Sequence, residues 1–224
     1  MYWSLMSMSQ KNKFFKLRHG VIVLTELNKH RLIQNFQLNQ TVDYHHEALK
    51  RVSHLQNDSL RKASVLIGFV ERQNGLNIIF TKRAKHLKHH PGQVSFPGGK
   101  FEVEDETLSN TALRETYEEI GISNQKISIF GQMPELITIS RFSVTPFLAF
   151  IDSGYQTRID ANEVDEVFEV PASVVLDRKQ LRSQQFQVAN YSHRVFGLSY
   201  QNHFIWGMTA QIIQAMQKHI MHQY

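Results

Sequence analysis

The sequence predicts an α/β fold in which helices cover both faces of a β-sheet, an α/β/α sandwich. Strand-like apolar runs lie on both sides of an amphipathic helix predicted over Leu108 to Ile120. A second amphipathic helix is predicted over Ile205 to His219, so helices are available for both faces of the sheet. The chain has 224 residues, 42% of them hydrophobic, and shows no internal repeat, so one domain with appendages is expected.

The central helix has a predicted start and a predicted end. Thr107 can cap its N-terminus, and Gly121 can adopt the left-handed conformation that favours helix termination. Apolar residues recur along it at spacings of three and four, which predicts a buried face made of Leu113, Tyr117 and Ile120.

Carboxylates are concentrated on and just before this helix. Glu115, Glu118 and Glu119 stand at positions i, i+3 and i+4, so they share a face roughly opposite the apolar one. From Glu102 to Glu119 the chain carries seven carboxylates and one base, Arg114. A hard divalent cation, Mg²⁺ or Mn²⁺, would neutralise this charge through oxygen ligands. A solvated acidic face is the alternative interpretation, which the charge run alone favours.

A glycine turn precedes the acidic helix. Pro97, Gly98 and Gly99 end an apolar approach and lead through an acidic loop into the helix. Such a turn is typical of places where backbone comes close to a ligand. The turn therefore favours the metal-site interpretation.

Turn and helix together resemble the Nudix box of the Nudix hydrolase superfamily. The resemblance is carried by Gly99, Glu106, Arg114, Glu115, Glu118, Glu119, Gly121 and Ile122. Six residues separate Gly99 from Glu106 where the box has five, so Asp105 is an alternative to Glu106 for the first acidic position. Thr116 stands where the box has an aliphatic residue. The resemblance covers about residues 60–220 and implies a Nudix-like sandwich with a mixed sheet.

A further resemblance lies just upstream of the box. Residues 79–84, Lys88, Gly92 and 96–99 are similar to an extra motif of the coenzyme A diphosphatases in that superfamily, with Lys88 where the motif usually has arginine. This implies hydrolysis of the diphosphate bond of CoA or acyl-CoA to 4′-phosphopantetheine, or its acyl form, and adenosine 3′,5′-bisphosphate. The implied substrate-binding residues are Arg83, Lys88, Gly92, Gly98 and Gly99.

The same resemblance implies roles for the acidic residues. Glu115 and Glu119 are the expected metal ligands, and Arg114 is expected to orient the glutamates through charge-assisted hydrogen bonds. Glu118 either completes the metal site or accepts the proton of the attacking water. The other candidates for that base are Glu106, Asp105 and Glu163. Glu163 precedes a predicted strand and could equally belong to a surface loop.

Charge and composition restrict the partners. The net charge is +5 and the segment Thr81 to His90 holds four lysines or arginines and three histidines without one acid, which suits a small substrate with phosphates at two places. Nucleic-acid binding is not expected, because this basic segment lacks interleaved aromatic residues.

The absence of cysteine excludes a disulfide framework, a thiolate nucleophile and cysteine-bound zinc. No membrane span or convincing signal peptide is found, so a cytoplasmic protein without a membrane partner is expected. The sequence leaves the oligomeric state open, a homodimer included.

Other elements are predicted from local patterns. Ser64 to Val70 and Leu76 to Thr81 predict a hairpin that turns at Asn74-Gly75. Ser140 to Pro146 is interpreted as a strand entry or as a lip contacting the nucleotide. The remaining predictions are a helix at Asp43 to Leu55, strands at Val21 to Leu24, Lys126 to Gly131, Leu136 to Ile139, Thr145 to Ile151 and Val167 to Val170, and a late hairpin at Phe186 to Val188 and Val195 to Tyr200. Residues 1–59 are expected to be an extension of unknown role and residues 60–220 the Nudix domain.

Histidines and rival functions complete the predictions. His45-His46 and the loop histidines His86, His89 and His90 are interpreted as surface or substrate-facing residues rather than metal ligands. A Nudix hydrolase acting on ADP-ribose, NADH or a dinucleotide would share every box residue. A non-catalytic Nudix-fold binding module is the alternative of a different class, but it would not need all three helix glutamates.

Overall fold

The computed structural model describes residues 27–55, 59–188 and 191–221. The helices are α1 (Lys29–Leu38), α2 (His46–Val52), α3 (Leu108–Ile120), α4 (Ala172–Val175) and α5 (Met208–Ile220). The strands are β1 (Arg61–Arg72), β2 (Gly75–Arg83), β3 (Val94–Ser95), β4 (Gly98–Lys100), β5 (Ile127–Gln132), β6 (Leu136–Ile137), β7 (Phe142–Ile151), β8 (Val164–Pro171), β9 (Arg182–Val188), β10 (Tyr191–Tyr200) and β11 (His203–Trp206). The strand predicted at Val21 to Leu24 lies outside the described residues. Within those residues, no helix is long and apolar enough to cross a bilayer.

Eight strands form one mixed sheet, which confirms the predicted α/β class. The main path is β3–β2–β1–β7–β5, with β4, β6 and β8 paired to β1, β7 and β2. β1 and β7 run parallel, and the other described pairs of this sheet are antiparallel. The predicted hairpin is formed by β1 and β2, but Arg72 faces Gly75, so the two turn residues are Gln73 and Asn74. Gly75 then has the positive φ of 113° that favours glycine.

Side chains of β1 alternate between two cores because successive residues of a strand point to opposite faces. Ile67 and Phe69 belong to a core that includes Ile212 of α5. Leu66 belongs to the core on the other face, with Ala112 of α3. Helices therefore cover both faces of the sheet, and α3 is fixed against the face that carries the candidate site.

The C-terminal helix begins later than predicted. Ile205 is buried as expected, but it lies in β11 opposite Leu198 of β10, and Gly207 with a φ of 67° separates strand from helix. The error arises because Ile205 is an apolar strand residue that stands at helical spacing from Ile212 of the helix. The other predicted core residues are buried, namely Ile212, Ala215, Met216 and Ile220. β9 and β10 form the predicted late hairpin.

The described part of the N-terminal extension packs against the sheet domain. Leu32 of α1 is fully buried in the main core. The Tyr44 hydroxyl donates a hydrogen bond of 2.8 Å to the carbonyl of Pro134. α2 is shorter than the helix predicted over Asp43 to Leu55. A domain boundary at residue 59 or 60 stays a prediction.

β7 is longer than predicted and contains Pro146 in its interior. β6 pairs with Ser143 and Val144, while β5 pairs from Phe147 onward. Pro146 therefore lies where the partner of β7 changes, and its carbonyl accepts a 2.9 Å hydrogen bond from the Met133 amide. The segment Ser140 to Pro146 contains the predicted strand entry, at Phe142, but Pro146 itself lies inside the strand, where the change of partner tolerates a residue without an N–H.

Candidate active site

Helix α3 has the boundaries that its capping residues predict. The Thr107 hydroxyl accepts a 3.2 Å hydrogen bond from the Asn110 amide at the N-terminus. Gly121 ends the helix with a φ of 74°, and its amide donates to the Tyr117 carbonyl at 2.8 Å. These local interactions satisfy backbone groups at both helix ends.

The buried face of α3 differs from the predicted one. Tyr117 is 48% exposed, whereas Ala112, Thr116 and Glu119 are buried beside Ile120. The Thr116 hydroxyl donates to the Ala112 carbonyl at 2.6 Å, so a polar residue fits where the Nudix box has an aliphatic one. The helix is thus rotated so that a carboxylate, not an aromatic ring, turns toward the sheet.

Asp105 and Arg114 join the loop before α3 to the helix itself. Arg114 donates from Nε to Asp105 Oδ1 at 2.7 Å and from Nη2 to Oδ2 at 3.0 Å. Asp105 also accepts from the Thr111 hydroxyl at 2.8 Å and from the Glu102 amide at 2.9 Å. The Arg114 guanidinium holds the pKa of Asp105 well below its usual range. This buried carboxylate is therefore ionised and fully engaged.

The two alternatives for the first acidic position now differ clearly. Asp105 is 5% exposed and ends a 3₁₀ turn formed by Val103–Asp105. Glu106 follows with a φ of 61° and an exposed side chain. The inserted loop residue is accommodated by this turn, and Asp105 rather than Glu106 contacts Arg114.

Arg114 also contacts two of the helix glutamates. Its Nη1 donates to Glu115 Oε1 at 3.1 Å and to Glu118 Oε2 at 2.8 Å, while Nη2 donates to the Lys100 carbonyl at 2.9 Å. One guanidinium therefore connects the loop, β4 and both glutamates. These are the contacts that the predicted orienting role requires.

Glu119 is the most enclosed carboxylate of the helix. It is 4% exposed, and its Oε2 accepts a 3.3 Å hydrogen bond from the Gly98 amide. Burial, followed by the nearby charge of Glu115 and then that of Glu163, raises the pKa of Glu119 to about 8, against a lowering influence of Arg83. Burial also raises the pKa of Glu115. The structure thus brings Glu115, Glu119 and Glu163 into one electrostatic cluster with Arg83.

The two glycines of the turn are required by close contacts. Gly98 has a φ of 150°, and a β-carbon there would overlap the Ser64 carbonyl oxygen and Val65. A β-carbon on Gly99 would overlap the carboxyl group of Glu115. A larger residue at 99 would displace this carboxyl group, so glycine at that position leaves room for Glu115.

The chemistry of these donors suits a hard divalent cation, while no three of these carboxyl groups, which all belong to the described residues, bring an oxygen each within 4.8 Å of one another. Glu119 and Glu115 are poorly solvated carboxylates that repel each other, and oxygen donors of this kind favour Mg²⁺ or Mn²⁺. Glu163, which is exposed, adds negative charge to the same place. Glu118 is 55% exposed and paired with Arg114, so it lies toward the solvent side of the cluster.

A cavity of about 630 Å³ adjoins the carboxylates. Arg83, Gly98 and Gly99 line it, together with His90. Its volume is within the range of small-molecule sites. Its walls are mostly apolar and include Leu136, Ile137, Ile139, Phe142, Trp206 and Met208.

Lys88 and Gly92 do not line this cavity. Lys88 is exposed, and Gly92 donates its amide to the Arg83 carbonyl at 3.1 Å with a φ of 69°. Gly92 therefore shapes the loop that follows Arg83. Nearby, His86 forms a 3.1 Å hydrogen bond with the Asn162 carbonyl.

Sequence reasoning missed the contribution of the N-terminal extension to the cavity. Ala48, Arg51 and Val52 of α2 form part of its wall. The apolar spacing of Ala48 and Val52 predicted a buried helix face, but no local signal indicated what that face would cover. Trp206 of β11 is 44% exposed and also lines the cavity.

The first histidine pair lies in a separate cluster. Ligand atoms of His45, His46 and Glu47 lie within 4.8 Å of one another. Among the described residues, no other three histidine, aspartate or glutamate side chains come this close together. His45 Nδ1 already accepts from the Glu47 amide at 3.3 Å, and Glu47 pairs with Arg194 at 3.4 Å. These contacts agree with the interpretation of His45-His46 as residues in surface contacts.

Comparison with known proteins identifies the family. The model of the NUDIX domain matches residues 60–190. A protein named "Uncharacterized Nudix hydrolase NudL" from Enterobacter sp. (strain 638) is 38% identical over 156 residues, which are 70% of this chain and 81% of that protein. Its namesake from Yersinia pestis (strain Pestoides F) is 34% identical over 168 residues, 75% of this chain and 84% of that one.

Among solved structures, the Ap4A hydrolase binary complex of C. elegans matches with a TM-score of 0.42 and 18% identity, over 48% of this chain and 77% of that one. A likeness of this size supports no inference about substrate. The family match, by contrast, covers the glycine turn, the acidic helix and the part of the cavity lined by Arg83, Gly98 and Gly99. The chain belongs to the Nudix family and is a pyrophosphohydrolase of that family.

Proposed function

We propose that this Nudix hydrolase cleaves the diphosphate bond of coenzyme A or acyl-CoA, using Mg²⁺ or Mn²⁺. The products would be 4′-phosphopantetheine, or its acyl form, and adenosine 3′,5′-bisphosphate. The coarser statement, hydrolysis of a nucleoside diphosphate derivative with a divalent metal ion, agrees with the family.

One observation carries the substrate proposal. Arg83 belongs to the upstream motif that resembles coenzyme A diphosphatases, and it lines the same cavity as Gly98 and Gly99. Its charge also lowers the pKa of Glu119, so the guanidinium lies within electrostatic range of the carboxylates. A cationic group at this place supports binding of the diphosphate beside the metal ligands.

The proposed roles follow from burial and pairing. Glu115 and Glu119 would hold the metal ion, with Glu118 at the solvent side of the site. When bound, the ion screens the diphosphate and lowers the pKa of the attacking water. Arg114 orients Glu115 and Glu118 through the hydrogen bonds described above.

The catalytic base is proposed from exposure and charge. Glu163 is accessible to solvent and acts electrostatically on both Glu115 and Glu119. Glu118 is the second candidate, although its Oε2 already accepts a 2.8 Å hydrogen bond from Arg114. Glu106 is less favoured, since the contact to Arg114 is made by Asp105 instead. A cytoplasmic location is also part of the proposal, supported by the absence of cysteine.

The test is product analysis on a substrate panel. The purified chain is incubated with CoA, ADP-ribose, NADH and a diadenosine polyphosphate, each with Mg²⁺ or Mn²⁺, and products are identified by mass spectrometry. We expect 4′-phosphopantetheine and adenosine 3′,5′-bisphosphate from CoA at the highest kcat/KM. Faster hydrolysis of another member would overturn the CoA proposal. Equal turnover by the chain and by its Glu119→Gln variant would overturn the site.

A further inference from the structure

Arg51 brings a second arginine to the cavity from outside the matched domain. It lies on α2 (His46–Val52), whereas the family model begins at residue 60. Arg83 enters the same cavity from the end of β2. Lys100 of β4 lines the cavity as well, so cationic residues reach it from three elements.

The Arg51 guanidinium has one donor atom without a partner among the described residues. Its Nε atom is buried and has no hydrogen-bond partner. Three other half-buried arginines are ion-paired, Arg72 with Glu169, Arg114 with Asp105 and Arg194 with Glu47, whereas no ion pair is found for Arg83 in the part of the chain that the structure describes. Because this donor has no partner within the described protein, the guanidinium is available to pair with an anion that enters the cavity.

The cavity suits a substrate with negative charge at two places. Arg83 acts on Glu119 and so belongs with the diphosphate that is cleaved. Arg51 is then available for a second anionic group in the same cavity. A guanidinium presents a planar fork of donors that matches a phosphate oxygen pair.

We infer that Arg51 is a specificity-determining residue that binds a phosphate monoester of the substrate, separate from the diphosphate that is hydrolysed. For the proposed substrate this group is the 3′-phosphate, and the inference rests on that proposed function. Lys88, the sequence-based candidate for reading this phosphate, is exposed and lies outside the cavity lining.

The kinetic test uses two substrates that differ by one phosphate, CoA and 3′-dephospho-CoA. For Arg51→Gln we expect KM for CoA to rise about ten-fold or more, as for loss of a charged hydrogen-bond partner. KM for 3′-dephospho-CoA and kcat for both substrates should change less than about two-fold. Arg51→Lys should restore part of the CoA affinity, because it keeps the charge without the fork.

Lys50→Gln is the matched control. It makes the same charge change one residue away on α2, at an exposed position outside the cavity lining. It should leave the ratio of the two KM values unchanged. A shift of both substrates by the same factor in Arg51→Gln, or an equal shift in Lys50→Gln, would overturn the inference.

A binding measurement separates this inference from the proposed function. Calorimetric titration with adenosine 3′,5′-bisphosphate and with adenosine 5′-monophosphate needs no turnover. The wild-type chain should favour the bisphosphate, and Arg51→Gln should lose that preference while its thermal unfolding stays unchanged. Absence of CoA hydrolysis with this preference intact would reject the proposed function alone. Absence of the preference in the wild type would reject the role of Arg51.

Discussion

Asp105 and Glu119 are two buried carboxylates of one motif with opposite electrostatics. Asp105 is 5% exposed and Glu119 is 4% exposed, so burial alone does not distinguish them. Asp105 receives two hydrogen bonds from Arg114, and its pKa is lowered. Glu119 receives one amide hydrogen bond, lies near Glu115, and its pKa is raised.

The difference separates a structural role from a chemical one. Asp105 is fully paired and stabilises the loop against α3, so its charge is used within the fold. Glu119 keeps an unfavourable free energy in the metal-free chain that a cation would relieve. The Arg114 guanidinium contacts Asp105, Glu115 and Glu118 and, among the described contacts, makes none with Glu119.

The largest effect is expected for Glu119→Gln. Loss of the proposed buried metal ligand should lower kcat/KM by about 10³-fold or more while the fold is kept. Activity assays with Mg²⁺ and with Mn²⁺, alongside circular dichroism, test this expectation. Near wild-type hydrolysis by the variant would remove Glu119 from the metal site.

In the absence of metal, Glu119→Gln should be more stable than the wild type. The raised pKa of Glu119 means that the folded chain holds a proton more tightly than the unfolded chain, so stability falls as pH rises from 4.5 toward about 8. Glutamine removes this penalty. In EDTA at pH 8, Glu119→Gln should be more stable than wild type by about 1–3 kcal/mol, with little difference at pH 4.5. Denaturant unfolding at both pH values measures this difference in stability. A variant less stable than wild type at pH 8 would contradict the raised pKa of Glu119.

Asp105→Asn should destabilise the fold, because it removes a paired carboxylate rather than a repelled one. Removing one partner of a buried ion pair leaves Arg114 without its carboxylate, which should lower the free energy of unfolding by about 2–4 kcal/mol. Glu106→Gln is the matched control at the neighbouring exposed position and should cost less than about 0.5 kcal/mol. Equal losses in the two variants would show that Asp105 has no special structural role.

The pH dependence of this loss has the opposite sign to that of Glu119. The pKa of Asp105 is lowered from 3.8, so its contribution is complete well above pH 3.8 and is lost progressively as pH falls from 3.8 toward the lower pKa of the folded state. The stability difference between wild type and Asp105→Asn should therefore shrink in acid. A difference that stays constant from pH 7 to pH 3 would argue against an ionised Asp105.

These two carboxylates also show what the sequence could predict. The limits of α3 depend on Thr107 and Gly121, whose effects are local, and the structure has the helix where they predict it. Choosing between Asp105 and Glu106 required the path of the loop, because a 3₁₀ turn decides which side chain points inward. The rotation that buries Glu119 and exposes Tyr117 depends on packing against β1 and β4, which hydrophobic periodicity does not report.

Arg51 illustrates a different limit. Its position on a short helix in a region without a recognisable motif gives no functional signal. The contact between α2 and the cavity depends on tertiary packing of the N-terminal extension. The residues of the upstream motif were easier to find, yet Lys88 shows that a motif position need not line the cavity.

Gly99→Ala tests whether the position of the Glu115 carboxyl group matters for metal binding, and it leaves Asp105 unchanged. The added methyl group would overlap the Glu115 carboxyl group and force it to move. Displacement of a ligand by its neighbours typically costs about 10–100-fold in metal affinity or activity. We expect a higher metal concentration for half-maximal activity, with thermal unfolding close to wild type in EDTA. An unchanged metal requirement would separate Glu115 from the metal site.

Lys88→Ala should have the smallest effect, because Lys88 is exposed and does not line the cavity. Its charge can still attract a polyanionic substrate through solvent, an interaction that salt screens within about 10 Å at 0.1 M ionic strength. KM for CoA should rise about two- to three-fold in low salt, and more than KM for 3′-dephospho-CoA, which carries less charge. In about 0.5 M salt the variant and wild type should converge. A ten-fold effect that persists in high salt would require direct contact, and would then assign the 3′-phosphate to Lys88 in place of Arg51.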